Sequence, residues 1–196
     1  MYTEHIQPSF DSIPEGLSVY ISGVCGDAAL KVSKSGNEEI VSLVSNQEEA
    51  EARIMLHCAE AVKRKAKVIV VRSSDTDVLV LLIHHYFAIN ATQIFLQVGV
   101  KGKHTNNTRL IPVHEIVANL TPVQRNIVLP VYCITGCDTI SSFQAIGKKT
   151  VFNVFRKITA DIADMKLLGN GRLCQKVIDS CTYFVGALYG HMGCRS

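Results

Sequence analysis

The chain has 196 residues and a formal net charge of +3, with 47% hydrophobic and 19% charged residues. This length predicts one domain with at most a small extension, and the composition excludes wholesale disorder. No apolar run approaches the length of a membrane span, and the N-terminal residues lack the basic-then-apolar layout of a signal peptide. The sequence therefore predicts an intracellular protein that does not enter a membrane.

The seven cysteines are scattered along the chain and odd in number. This usage is typical of buried free thiols in a reducing compartment. Cys133 and Cys137 do not have the tight spacing of a zinc ribbon, and the pair His191 and Cys194 is a weaker indication of a metal site than of ordinary surface.

Positive charge is clustered in the sequence, although the net charge is modest. Basic residues concentrate at 63–67, at 101 and 103, at 147–149 and at 156–157. Such patches suit a phosphate-rich polymer, and for any single cluster the alternative is a solvated surface.

The first third of the chain predicts strands followed by a helix. Residues 17–33 have the pattern of two short strands around a Gly-rich turn, and residues 38–45 that of another strand. From residue 46 to 67 the apolar residues recur at helical spacing, with Ser45 or Asn46 as the N-cap.

The middle of the chain predicts alternating strands and helices. The apolar run 67–71 is typical of a buried parallel strand, and 76–88 is too long and continuous for a strand, which favours a buried helix. A strand at 92–100 is expected to pair with 108–113. This alternation predicts an α/β fold with a parallel sheet.

The last part of the chain predicts helices. Two are expected at 114–120 and 122–136, the second with Pro122 at its start. Residues 141–158 indicate a helix, a Gly turn and a second helix, in which three phenylalanines have the spacing of a helical core: Phe143, Phe152 and Phe155. Two further helical stretches follow, so the chain beyond about residue 136 is expected to be all-helical.

Three groups of acidic residues stand where strands end or helices begin. The groups are Glu48, Glu49 and Glu51; Asp75 and Asp77; and Asp138. Each group alone is explained by helix capping or turn formation. If the groups meet at one sheet edge, each ionised pair 4 Å apart repels by about 4 kcal/mol at intermediate dielectric. A hard divalent cation such as Mg²⁺ or Mn²⁺ removes that repulsion, because carboxylate oxygens are the ligands it prefers.

The ordered trio "EEAEA" (48–52), "SSDTD" (73–77) and "TGCDTISSFQAIGKKT" (135–150) resembles the internal region of PIN-like nucleases of the flap-endonuclease superfamily. The resemblance covers about residues 38 to 158. It implies that five carboxylates act as catalytic metal ligands: Glu49, Glu51, Asp75, Asp77 and Asp138. It also implies that the turn at Gly147, with Lys148 and Lys149, grips nucleic-acid phosphates, although Lys148 stands where the family has proline.

The resemblance implies a fold and a chemistry as well. The expected fold is a three-layer α/β/α PIN-like core with a parallel sheet at 1–135, followed by a helical extension at 136–196. The expected chemistry is hydrolysis of phosphodiester bonds in structured nucleic acid, DNA rather than RNA, with two Mg²⁺ or Mn²⁺ ions clamping the scissile phosphate. By resemblance alone, this would place the protein in the nucleus.

The sequence departs from the family at its start. The first strand of the family ends in an essential aspartate, whereas the nearest strand here, 18–23, carries Ser22 at that point. Two interpretations compete: the chain is a fragment that begins inside the domain, or its site has decayed. Two alternatives to a nuclease therefore stay open, namely a non-catalytic module that binds nucleic acid or protein, and a scaffold domain whose acids are only helix caps.

Overall fold

The structure is a computed structural model, and it describes residues 13–25, 28–46, 50–99, 107–136, 143–171 and 173–191. The chain forms two compact units, one of Met1–Ile69 with Ala88–Ala91 and the other of Val70–Phe87 with Thr92–Ser196. The predicted division into a core at 1–135 and an extension at 136–196 stays a prediction. Among the described residues, no helix is both long and apolar enough to cross a membrane.

The first unit contains a three-stranded antiparallel sheet. Strands β1 (Ser18–Cys25), β2 (Ala28–Ser33) and β3 (Gly36–Glu39) lie in sequence order. Helix α1 (Ala50–Lys63) follows. The strand pair predicted over 17–33 and the helix predicted over 46–67 are thus confirmed in type, with shorter bounds.

The strand predicted over 38–45 is wrong beyond its first residues. Strand β3 ends at Glu39, and Val41–Leu43 form a 3-10 helix. The reason is the spacing of the buried side chains: Ile40 and Leu43, three residues apart, both pack into a small core with Ala29. A separation of three residues places two side chains on one face of a 3-10 turn, whereas in a strand it would place them on opposite faces.

The second sheet has the order β4–β5–β6. Its strands are β4 (Val68–Arg72), β5 (Gln93–Val98) and β6 (Arg109–Pro112), and helix α2 (Thr76–Ile89) connects β4 to β5. The backbone N–H of Ser73, just past β4, donates to the carbonyl of Gln97 near the end of β5 at 3.2 Å. The two strands therefore end side by side, as parallel neighbours joined by a helical crossover do. Strand β6 runs antiparallel to β5, as the predicted pairing of 92–100 with 108–113 requires.

The predicted α/β class is confirmed, and the sheet of β4, β5 and β6 is mixed rather than purely parallel. The remaining helices are α3 (Val113–Ala118), α4 (Pro122–Ile134), α5 (Lys148–Ile158) and α6 (Gln175–Leu188), with a 3-10 helix at Ala163–Leu167. Pro122 begins α4 as predicted, behind a capping box formed by Thr121 and Gln124.

One hydrophobic core joins the helices α4, α5 and α6. Phe155 of α5 and Phe184 of α6 are fully buried in it, and Phe143 packs against its edge. Phe152, however, is 49% exposed, so the prediction of a core role for this residue is wrong. The reason is geometric, because Val151, Phe155 and Ile158 already define the buried face of α5 and Phe152 lies off that face.

The predicted helix before Gly147 is not seen in the described residues. Residues 143–147 form a turn, and residues 141–142 lie outside the described part of the chain. The second helix of the predicted pair is α5, which begins at Lys148 immediately after the glycine.

Candidate acidic site at the end of β4

Asp75 stands at the N-cap position of α2. The helix begins at Thr76, and a carboxylate oxygen of Asp75 accepts a hydrogen bond from the backbone N–H of Asp77 at 2.9 Å. The N–H of Asp75 donates in turn to Oγ of Ser73 at 3.1 Å. The "SSDTD" stretch therefore folds as a side-chain-capped turn, which explains its Ser and Asp residues locally.

Asp77 lies in the first turn of α2, where the partial positive charge of a helix N-terminus favours a carboxylate. Its Oδ1 accepts a hydrogen bond from the hydroxyl of Tyr132 on α4. A phenol hydroxyl is a neutral donor, so the contact fixes the carboxylate in place without cancelling its charge.

Lys148 contacts the same tyrosine from another side. Its ammonium lies 4.0 Å from the centroid of the Tyr132 ring, which is a cation–π distance. The ammonium also donates to the carbonyl of Gly136 and lies 3.5 Å from Oγ1 of Thr135. The residue that the resemblance assigned to phosphate binding is thus held by contacts within its own chain.

These contacts connect two of the three acidic motifs. A continuous series runs from Asp77 through Tyr132 and Lys148 to Gly136. Asp138 follows Gly136 by two residues, a span of at most about 7 Å of extended chain, and itself lies outside the described residues.

The two glutamates of the predicted site lie elsewhere in the chain. Glu51 is half-buried in the first turn of α1 and belongs to the first compact unit, and Glu49 lies outside the described residues. In the part of the chain that the structure describes, no three His, Cys, Asp or Glu side chains form a potential metal-binding group. Convergence of all five predicted carboxylates stays a prediction.

The two described aspartates suit Mg²⁺ in the character of their donors. Among the described residues, no ammonium or guanidinium forms an ion pair with Asp75 or Asp77. The hydrogen bonds from described residues engage Oδ1 of each carboxylate. Protein sites for Mg²⁺ commonly supply only one or two carboxylates, with water and substrate phosphate completing the shell.

Gly147 precedes α5 with an extended backbone (φ −84°, ψ 158°) that any residue can adopt. A Cβ added there would meet no atom within 4 Å. Neither the conformation nor the packing of the described residues therefore requires glycine at this point. Close approach of an external group to the backbone is a remaining reason for it.

Helix α5 presents a basic surface. It carries four basic residues and no acidic one, and Lys149, Arg156 and Lys157 are exposed. The guanidinium of Arg156 lies 5.9 Å from the ring centroid of the exposed Phe152. Unlike Lys148, Lys149 is a good candidate for contact with an external anion.

Tyr132 is the participant that sequence reasoning missed. Its place on a helix with apolar neighbours is typical of a packing residue, and no spacing rule connects it to Asp77, which is 55 positions earlier. Only the tertiary packing of α4 near the start of α2 indicates its role.

His57 makes a polar contact between α1 and β1. The ring is half-buried on α1, and its Nε2 is hydrogen-bonded to the hydroxyl of Ser22 in β1. Burial lowers the pKa of His57, the charge of Arg53 lowers it further, and Glu60 partly offsets both. The neighbouring Cys58 is a buried free thiol as predicted, and burial raises its pKa to about 11.

Comparison with family models, curated proteins and solved structures finds no match to this chain. The resemblance to PIN-like nucleases therefore depends on the ordered sequence motifs alone.

Proposed function

We propose that the chain is a PIN-like, metal-dependent nuclease domain that hydrolyses phosphodiester bonds in structured nucleic acid, with DNA as the favoured substrate and the nucleus as the place of action. The observation that carries the proposal is the contact series from Asp77 through Tyr132 and Lys148 to Gly136. It links Asp77, near the end of β4, to Gly136, the first residue of the Gly-x-Asp motif, although the two are more than 50 residues apart in sequence.

The proposed site lies at the carboxyl end of β4, where ligands bind in open α/β sheets. In this proposal the β4–α2–β5 crossover is part of a three-layer PIN-like core. The carboxylates that would hold one or two Mg²⁺ or Mn²⁺ ions are those of Asp75 and Asp77, joined by Glu49, Glu51 and Asp138. When bound, such ions supply Lewis acidity toward a scissile phosphate.

The residues around the carboxylates have distinct tasks in this proposal. Asp75 orders the start of α2, because its side chain caps the helix. The Tyr132 hydroxyl holds the Asp77 carboxylate in one orientation, and Lys148 holds the chain just before Asp138 through the Gly136 carbonyl. Lys149 and the N-terminus of α5 face the phosphate backbone.

Cleavage of labelled branched DNA in Mg²⁺ or Mn²⁺ tests the proposal. The informative variant is Asp75→Asn with Asp77→Asn, because asparagine caps a helix about as well as aspartate and its amide oxygen can still accept from Tyr132. The fold is thus preserved while both charges are lost. We expect cleavage to fall by at least about 100-fold, corresponding to roughly 3 kcal/mol of transition-state stabilisation.

The matched control is Glu38→Gln with Glu39→Gln, which also removes two carboxylates, both from the exposed strand β3. This control should cleave at the wild-type rate. Cleavage that survives the double aspartate variant would exclude these carboxylates from the mechanism.

A non-catalytic module that binds nucleic acid is the second candidate. It is favoured by the fact that Asp75 and Asp77 already have hydrogen-bond donors within the protein, while Lys149, Arg156 and Lys157 remain exposed. It predicts binding that weakens steeply with salt and no metal-dependent turnover.

Lys149→Ala with Arg156→Ala tests the second candidate, because neither side chain holds Gly136 or Tyr132 as Lys148 does, and the contact that Arg156 makes is with the exposed Phe152. Each phosphate contact adds about 0.9 to the steepness of log K plotted against log salt concentration. Loss of up to two contacts should therefore make this slope shallower by up to about 2. Lys148 is left intact in this variant, since Lys148→Ala would also release the Gly136 carbonyl. Unchanged binding in the Lys149 and Arg156 variant, with Lys34→Ala as the exposed control in the first unit, would count against this module.

A further inference from the structure

One side of helix α5 carries an exposed aromatic ring among basic side chains. Lys149, Phe152, Asn153 and Arg156 occupy positions i, i+3, i+4 and i+7 of the helix, which share one face. All four residues are exposed, whereas the buried residues of α5 lie on the other side of the helix. We call this exposed face the α5 stripe.

The ring of Phe152 is held by its neighbours and still open to solvent. Its centroid lies 6.0 Å from that of the buried Phe155, with an angle of 41° between the ring planes. The Arg156 guanidinium lies 5.9 Å from the Phe152 centroid, near the outer limit of a cation–π contact. Phe152 is nonetheless 49% exposed. Single exposed apolar residues are common on protein surfaces, so the ring gains significance from the charges around it.

Those charges are all positive. Helix α5 has four basic residues and no acidic one, and along the stripe Lys149 precedes Phe152 while Arg156 follows it. Seven residues separate the two cations, which corresponds to about 10 Å of helix. In the part of the chain that the structure describes, neither cation forms an ion pair with a carboxylate. Both charges therefore remain for an external anion.

Phe87 shows that an exposed phenylalanine beside an arginine does not by itself make such a surface. It is 62% exposed on α2, and the Arg125 guanidinium lies 4.8 Å from its ring centroid. Arg125, however, donates to the carbonyls of Val117 and Leu120, and α2 contains no lysine or arginine. The α5 stripe differs in combining an open ring with two cations that have no carboxylate partner.

This combination distinguishes between anionic partners. An acidic peptide would engage the cations and has no requirement for a flat ring. A single aromatic residue buries too little apolar surface to anchor a helix in an anionic membrane. Nucleic acid offers phosphates and flat bases together. In a duplex the bases stack on one another, so the base that can stack on a protein ring is an unpaired one.

We propose that the α5 stripe binds a single-stranded segment of nucleic acid, with one unpaired base stacked on the Phe152 ring and the flanking phosphates contacting Lys149 and Arg156. The inference rests on the proposed action on structured nucleic acid, since branched substrates carry unpaired segments beside their duplexes. It depends on neither cleavage nor a metal. It adds to the basic surface of α5 a preference for unpaired over paired strands.

Fluorescence anisotropy in metal-free buffer compares three labelled probes of equal length: an oligothymidylate, the same strand with abasic sites in place of its bases, and a DNA duplex. The test variant is Phe152→Leu, which keeps an apolar side chain but removes the ring. Its affinity for the oligothymidylate should fall at least about fivefold, because stacking of one base on an aromatic side chain contributes that much or more. Its affinity for the abasic strand and the duplex should stay within about twofold of the wild type.

Phe87→Leu is the matched control and should bind all three probes as the wild type does. Lys149→Ala with Arg156→Ala should instead weaken binding of all three probes and make its salt dependence shallower. Circular dichroism confirms that each variant is folded. As a second measurement, a 2-aminopurine base in the single strand should lose fluorescence on binding to the wild type, and less on binding to Phe152→Leu.

An unchanged affinity of Phe152→Leu for the oligothymidylate overturns the inference, and so does an equal loss of affinity for the abasic strand. If branched DNA is still cleaved in that case, the proposed nuclease function stands and the stacking on Phe152 alone is wrong. A wild-type protein that binds none of the three probes contradicts the proposed action on nucleic acid as well. Binding of a polyglutamate peptide in their place would identify the stripe as a surface for acidic peptides and overturn the inference.

Discussion

Glu60 in the first unit and the pair Asp75 and Asp77 in the second show two ways in which this protein accommodates acidic side chains. Glu60 is 7% exposed and accepts hydrogen bonds from Ser42 at 2.9 Å and from Arg64 at 2.8 Å. The two aspartates are half-buried, and among the described residues their hydrogen-bond donors are neutral.

Glu60 differs from the two aspartates in having basic side chains next to its carboxylate. Arg64 is four residues after Glu60 on α1, and Lys63 is a further basic neighbour, with 4.0 Å between its Nζ and Oε2 of Glu60. The hydrogen bond from Ser42 lowers the pKa of Glu60 despite its burial, and those basic neighbours lower it further. Glu60 is thus satisfied within the chain, whereas the aspartates retain a charge that an external cation can use.

Glu60→Ala is the substitution expected to have the largest effect on folding. It removes an acceptor shared by Ser42 and Arg64, so we expect the free energy of unfolding to fall by about 1–3 kcal/mol. Asp77→Asn should change it by less than about 1 kcal/mol, because the asparagine still accepts from Tyr132. Urea unfolding followed by circular dichroism measures both, and equal losses would remove the contrast between the two regions.

Acidification should reduce the stability of the folded chain through two groups of the first unit, His57 and Glu60. The folded-state pKa of His57 is lowered, chiefly by burial, so its neutral form stabilises the fold above the unfolded value near 6.5 and that stability is lost as pH falls through the folded pKa. The lowered pKa of Glu60 acts in the same direction below about pH 4.3. Stability should therefore fall first below about pH 6.5 and again below about pH 4.3.

The variant His57→Gln isolates the first of these steps. Glutamine keeps a hydrogen-bonding partner for Ser22 but does not titrate. Unfolding curves measured between pH 7.5 and 5 should lose part of their pH dependence in this variant, and the remainder is expected from His85, whose pKa is also lowered by burial and by the charge of His84. If the wild-type slope persists, another group is responsible for it.

Capping provides a smaller test in the second region. Asp75→Ala should lower the free energy of unfolding by about 1 kcal/mol, because the N–H of Asp77 loses its acceptor. Asp75→Asn should lower it by only a few tenths of a kcal/mol.

Thermal unfolding with and without Mn²⁺ extends the test of Asp75 to metal binding. Wild-type protein should gain stability from Mn²⁺, and Asp75→Asn should gain less although its cap is intact. Equal gains would mean that the cation binds elsewhere.

Local patterns in the sequence predicted much of this fold, and long-range contacts account for what they missed. The bounds of α2 and the pairing of β5 with β6 follow from apolar runs and turn residues, which are local properties. For Asp75, the sequence left two explanations open, a helix cap and a metal ligand, and the structure shows the cap. Periodicity did not predict the 3-10 helix at Val41–Leu43, because it depends on a core shared with Ala29 in another strand.

The candidate site was less predictable for the same reason. Asp75 and Asp77 follow from a motif, but the contacts that orient Asp77 come from α4 and α5, far along the chain. The role of Lys148 shows the limit of motif reasoning. A lysine after a glycine at a helix start indicates a phosphate contact, whereas here its ammonium is held by Gly136 and Tyr132.

Tyr132→Phe is the most conservative test of the comparison and has the smallest expected effect on folding. It removes one hydroxyl and keeps the ring that lies against the Lys148 ammonium. Stability should change by about 1 kcal/mol or less. Because Asp77 loses the donor that fixes its orientation, Mn²⁺ affinity should fall by roughly threefold to tenfold, or about 0.6–1.4 kcal/mol. Tyr183→Phe, on α6 and outside the contact series, is the matched control. If both variants bind Mn²⁺ as the wild type does, Tyr132 is a packing residue, and the aspartates of the second unit resemble Glu60 in serving the fold alone.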